Sequence, residues 1–227
     1  MKSREVEADL LDAALTTAHS GLVTAFGHVS VLIGDRVLIT PPRPLGSLTL
    51  TDRAVTLDRT ATELPEGTPK EAWIHLAIYR TRPDVRAICR AQPETATALT
   101  SGGVPIRPLH GQGAFLGPEV PVFDDPRLVR DEQRAAELAD ALGRAPALLM
   151  RGNGAVTVGE DVGQAVARMW LLEASARINA QAAAAGRPRA LSTNEQAAWL
   201  AAETELLSRL WSHLRADTPK TSAKGQS

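Results

Sequence analysis

The sequence predicts an α/β sandwich, and three observations carry that expectation. Short β-rich runs come early, at hairpin spacing. Long alanine-rich segments with helical spacing come late. Strands and helices mix without a regular βαβ repeat. The chain has 227 residues, 44% hydrophobic and 22% charged, enough to bury the core of one domain. The organisation expected is a single domain over residues 1–216 and a disordered tail over 217–227, because TPKTSAKGQS is poor in apolar residues.

Along the chain, residues 4–20 read as a helix. Val6, Leu10, Ala14 and Ala18 recur at four-residue spacing, and Gly21 can end it. VSVLI (29–33) and RVLIT (36–40) read as strands, and Gly34-Asp35 between them suits a type II′ turn, which takes glycine first. PPRPLGS (41–47) has too many prolines to pair in a sheet and forms a loop at a strand end. A helix over 70–80 places Trp73, Ala77 and Tyr79 toward the core and stops at Pro83. VRAIC (85–89) is a short buried strand, and ETATALTSG (94–102) a helix ended by glycine. Residues 104–117 are rich in turns, and a polar helix covers 127–142 before Gly143. ALLM (147–150) and AVTVG (155–159) are strands around the turn RGNG. Helices over 161–185 and 192–214 follow, split by GRP.

Composition removes several function classes. A formal charge of −1 argues against a polybasic surface for nucleic acid or membrane. No apolar run approaches the roughly 20 residues needed to span a bilayer, and the polar, acidic start MKSREVEADL does not read as a signal peptide. A single cysteine, Cys89, rules out an intrachain disulfide framework and suggests the cytoplasm; in a buried strand it reads as a small core residue. The glycines near 111–117 and 152–154 lack the strand-to-helix spacing of a dinucleotide or phosphate loop, so no cofactor is expected.

FGHVS, VLITPPRPLG, KEAWIHLAIYRTRPDVRAI, GAFLGPEVPVF and LLMRGNGAVTVGEDVGQAVARMWLLEASARI occur in an order and spacing that resemble the class II aldolase/adducin family over residues 8–185. The resemblance implies a three-layer α/β/α sandwich with a central, mainly antiparallel sheet, and a homotetramer with active sites between subunits. It also implies a divalent metal, usually zinc, on three histidines: a His-x-His pair after the strand that follows Arg-Pro-Asp-Val, and one in an Arg-x-His-Gly turn. Here those positions read Arg90-Ala91-Gln92 and Asn153. Arginine has no lone pair to offer and amides bind zinc poorly, so the expectation is no metal. The family's phosphate cradle is also replaced, by Gly27-His28, Thr40-Pro41-Pro42-Arg43 and Pro69-Lys70, which argues against a sugar phosphate.

Glu71 matches the family's proton-transferring acid; otherwise it is an acid favoured at a helix start. Arg90, at a ligand position, needs an anion and can replace the metal's charge. Gln92 and Asn153 stay polar, as a retained pocket requires. His28 is either a proton donor or a loop histidine bonded to backbone, and the same alternatives hold for His110. Arg151 joins the candidate substrate-binding set. His75 shares a helix face with Glu71 and is expected to be a buried structural histidine.

The function expected is a cytoplasmic, metal-independent lyase, decarboxylase, isomerase or cyclase moving a proton beside a carbonyl. Its substrate would be a small carboxylated or oxo compound of specialised metabolism, with Glu71, Arg90 and His28 catalytic. One alternative is a non-catalytic, adducin-like binding module. Another is a metal site remodelled on His28, His75 or His110.

Overall fold

The computed structural model describes residues 2–219. A seven-stranded sheet runs in the order β3-β2-β1-β4-β7-β6-β5. Its strands are β1 (His28–Ile33), β2 (Arg36–Ile39), β3 (Val55–Asp58), β4 (Ala87–Ala91), β5 (Val122–Phe123), β6 (Ala147–Met150) and β7 (Gly154–Gly159). Every pairing is antiparallel except β5 with β6. The β1–β2 turn has the expected form. Gly34 has φ +61° and no non-glycine residue among those described has positive φ, as a type II′ turn requires.

The helices are α1 (Lys2–His19), α2 (Ala72–Thr81), α3 (Glu94–Ser101), α4 (Glu132–Leu142), α5 (Val162–Ala185), α6 (Thr193–Leu200) and α7 (Glu203–Asp217). Strand alternation divides the core between the two faces of the sheet. Val29, Cys89, Ala147 and Leu149 point to the side of α1, α3 and α5. Leu32, Ile88, Leu148 and Val156 point to the side of α2 and α4. His28, Ser30 and Arg90 share the parity of Leu32 and Ile88, so they lie under α2.

Several boundaries differ from expectation. β4 runs over 87–91 instead of 85–89, so Arg90 lies within a central strand. His28 opens β1, opposite Arg90 in register, and is not a loop residue. β3 and β5 were not expected: one is an edge strand with a single buried residue, the other only two residues long. α4 starts after the cap Asp131, whose carboxylate accepts from the Arg134 amide. Trp73 is only partly buried, whereas Ala77 and Tyr79 are in the core.

The helix expected over 192–214 breaks at Ala201–Ala202. α6 buries none of its residues, while α7 turns to lay Leu207 and Leu214 inward. α7 also runs past the expected domain end at residue 216. Thr218 is buried, and its hydroxyl bonds to Thr16 of α1. Residues 220–227 of the expected tail lie outside the described residues.

Candidate active site

Glu71 is the N-cap of α2, but its side chain makes no capping bond. It turns toward the sheet instead. Glu71 Oε1 lies 3.4 Å from Arg90 Nη2, and Glu71 Oε2 lies 3.6 Å from His28 Nε2. Arg90 Nη2 also donates to Asn153 Oδ1 at 2.6 Å. Asn153 is held by the tight β6–β7 turn, where its amide N–H bonds to Met150 O at 2.9 Å. The next residue, Gly154, has φ +84°, and a Cβ there would stand 2.2 Å from Ala91 O. Only glycine lets the turn close so tightly on β4.

Arg90 is 1% exposed, and both its Nε and its Nη1 have no partner among the described residues. The Asn153 amide nitrogen and His28 Nε2 are also buried and unpartnered. Four orphaned nitrogens thus lie on the three side chains that neighbour Glu71. A buried guanidinium with one carboxylate and one amide for company is under-neutralised, and a bound anion would supply what is missing.

Electrostatics follow from this packing. Burial alone would raise the Glu71 carboxyl. The His28 ring, the Arg90 charge and the Asn153 amide outweigh it and hold the group at about 2. Glu71 is therefore a carboxylate at any physiological pH, a base and not an acid at rest. Burial lowers His28, against the pull of Glu71, and lowers His75 further, so both rings are neutral.

His28 and Glu71 floor a cleft of about 570 Å3 whose walls include Phe26, Arg43, Lys70 and Arg130. Arg90 and Asn153 are buried behind Glu71 and are not part of the cleft lining, and the remaining expected site residues lie elsewhere. Gln92 leaves the sheet after β4, its amide bonded to Leu22 O, and lines a different cleft with Thr24 and Gly154. Arg151 pairs with the exposed Asp124. His110 bonds to Ser175 Oγ at 2.9 Å, on α5.

Sequence reasoning missed Ser30, and it left His75 and Tyr79 as core. His75 Nε2 lies 2.6 Å from His28 Nδ1 and His75 Nδ1 lies 2.6 Å from Ser30 Oγ, which lies 2.8 Å from Tyr79 Oη. A signal for this was present. Glu71, His75 and Tyr79 recur at four-residue spacing on one helix face, and His28 and Ser30 are two apart on one strand face.

A divalent metal is implied by the fold family, and the donor set does not suit it. The positions that the resemblance assigns to metal ligands carry a guanidinium and two amides, one of them in another cleft. Among the described residues no group of three or more His, Cys, Asp or Glu converges.

An α/β/α sandwich with a pocket at the start of β1 and of α2 defines the class of protein. The chain belongs to the class II aldolase and adducin N-terminal domain family, whose model matches residues 8–180. It is 33% identical over 191 residues to 3,4-dihydroxyphthalate decarboxylase of Arthrobacter keyseri, covering 77% of each chain. It is 31% identical over 116 residues to decarboxylase NovR of Streptomyces niveus, covering 51% of this chain and 43% of that one. Among solved structures, L-fuculose-1-phosphate aldolase of Thermus thermophilus superposes with a TM-score of 0.70 at 30% identity, over 80% of this chain and 95% of that one. These likenesses support a lyase-type enzyme over an adducin-like binding module. No helix among the described residues is long and apolar enough to cross a membrane.

Proposed function

We propose that this chain is a metal-independent decarboxylase of small carboxylates that carry a hydroxyl or oxo group in conjugation with the carboxylated carbon. The observation that carries this reading is the buried Arg90 guanidinium. It stands at a metal-ligand position with two nitrogens unpartnered, beside a carboxylate held ionised. The decarboxylase relatives support the reaction class, and the replaced phosphate cradle and metal ligands favour specialised metabolism over a central sugar aldolase. We read the assembly as a homotetramer and the compartment as the cytoplasm, the latter from the single, buried Cys89.

Glu71 takes the proton of the substrate hydroxyl, and the oxyanion so formed is held by the free N–H groups of Arg90 and the Asn153 amide. The carbon bearing the carboxylate then takes up the proton that Glu71 removed. Its bond to the carboxylate breaks, the electron pair returns to the conjugated framework, and CO2 leaves. The product departs as an oxyanion on Arg90 and takes its last proton from solvent. His28, through Nε2, orients the substrate at Glu71.

The test is CO2 release from a panel of ortho-hydroxybenzoates that includes 3,4-dihydroxyphthalate. Turnover is expected to persist in EDTA and to fall on the order of 100- to 1000-fold in Arg90→Met, the usual cost of removing an oxyanion donor. Activity lost to EDTA and restored by a divalent metal would overturn the reading.

A further inference from the structure

Behind Glu71, His28 and Arg90 stand three buried polar side chains that the reaction does not use: His75, Ser30 and Tyr79, each 0% exposed. With His28 they form a single file of hydrogen bonds, from Tyr79 Oη to Ser30 Oγ, to His75, to His28 Nδ1. A neutral imidazole has one donor and one acceptor nitrogen, so the file can run in only two directions.

The two ends decide the direction. Among the described residues, the Tyr79 hydroxyl has Ser30 Oγ as its one side-chain partner, so its proton goes there. Ser30 then gives its own proton to His75 Nδ1. His75 therefore carries its proton on Nε2 and donates it to His28 Nδ1. His28 is left protonated at Nε2, 3.6 Å from the Glu71 carboxylate. The reverse direction strands the Tyr79 proton in the core and sets a His28 lone pair against a carboxylate. Each fault lowers that direction's population by about tenfold.

We infer that His75 and Ser30 are positioning residues that lock His28 as its Nε2–H tautomer, with Tyr79 closing the far end of the file, so the cleft floor presents a neutral N–H donor beside Glu71. The substrate atom seated there must then be an acceptor, a carboxylate or oxyanion oxygen, and Glu71 is left as the one base. Burial keeps both rings neutral, as the file requires. The role in turnover rests on the acid–base reading of Glu71 and His28. The tautomer itself is read without turnover, so either claim can fail alone.

The experiment is long-range nitrogen–proton NMR at pH 7 on the full chain labelled with nitrogen-15 histidine, with His28→Asn used to assign the His28 signals. Both rings are expected to carry a directly bonded proton at Nε2 and none at Nδ1. In Ser30→Ala, His75 Nδ1 has no partner in either direction, so the Nδ1–H share of His28 should rise from about one part in a hundred to about one in ten, although Ser30 makes no bond to His28. Tyr79→Phe is the control: the Ser30 proton then has only His75 Nδ1 to go to, so His28 should keep its proton on Nε2. An Nδ1–H or doubly protonated ring in the unsubstituted protein overturns the inference. So does a His28 spectrum unchanged in folded Ser30→Ala, or an Nδ1–H share that rises in Tyr79→Phe.

Discussion

Arg90 and Glu71 form a pair in which the arginine is buried and the acid is only partly so, with side-chain exposures of 1% and 15%. That asymmetry separates their roles. Glu71→Gln keeps the shape of the side chain and removes the base, so turnover should fall roughly 100-fold or more in a protein that still folds. The carboxyl is held at about 2, against 4.5 in an unperturbed side chain. Its folded-state value is the lower one, so the stability it contributes is full above about 4.5 and is lost as pH falls toward 2. Glu71 stays ionised across that range, and kcat/KM measured down to pH 5 should show no acid limb from this group. A limb centred near pH 6 that disappears in Glu71→Gln would contradict the depressed carboxyl and its ionised resting state. Glu71, Arg90 and Asn153 were legible as a group because each replaces or matches a motif position. Gln92 was not separable from them: spacing puts it on the Arg90 face, but β4 ends at Ala91 and the chain turns away.

The packing of α2 on β1 gives the elements their own prediction. His28 and His75 are buried neutral, both below the usual 6.5. The unfolded chain takes up protons at these residues as pH drops through 6.5, and the folded chain does not. Stability is therefore full above about pH 6.5 and falls below it, by up to about 1.4 kcal/mol per pH unit for each histidine. Urea denaturation between pH 7 and pH 5 should show this early loss, and His28→Asn should make the slope shallower; equal slopes would count against a neutral, buried pair. The same two elements show why the sequence revealed some structure and hid the rest. Strands with hydrophobic alternation or continuous apolar runs were legible, as were helices bounded by glycine and proline. β4 was placed two residues early because a charge reads as a strand end, and only the partners from α2 and the β6–β7 turn make Arg90 tolerable inside. β3 and β5 carry too few buried residues to leave a pattern, and the break at Ala201–Ala202 follows from what α6 and α7 pack against, which helical spacing does not encode.

At the scale of the whole molecule, the described surface leaves apolar side chains in water next to the cleft. Phe26, on its wall, is 66% exposed, and Leu128, near Arg130 of the same cleft, is 48% exposed. On another side, α6 buries nothing and shows Trp199 and Leu200 at 39% and 45% exposure. Isolated exposed apolar residues need no explanation, but an aromatic ring at the mouth of a polar cleft does, and a neighbouring subunit would cover it. Closed symmetry then sets the size of the assembly. Two separate apolar surfaces on each chain, each pairing with its counterpart, build a tetramer, whereas one surface would stop at a dimer. Light scattering on the purified protein should give about four times the 24.2 kDa chain mass. Phe26→Glu, which puts a charge into one of the two contacts, should lower the mass and weaken substrate binding, while Trp199→Glu should lower the mass and leave KM nearly unchanged. A monodisperse, fully active monomer would remove both the assembly and the covered cleft.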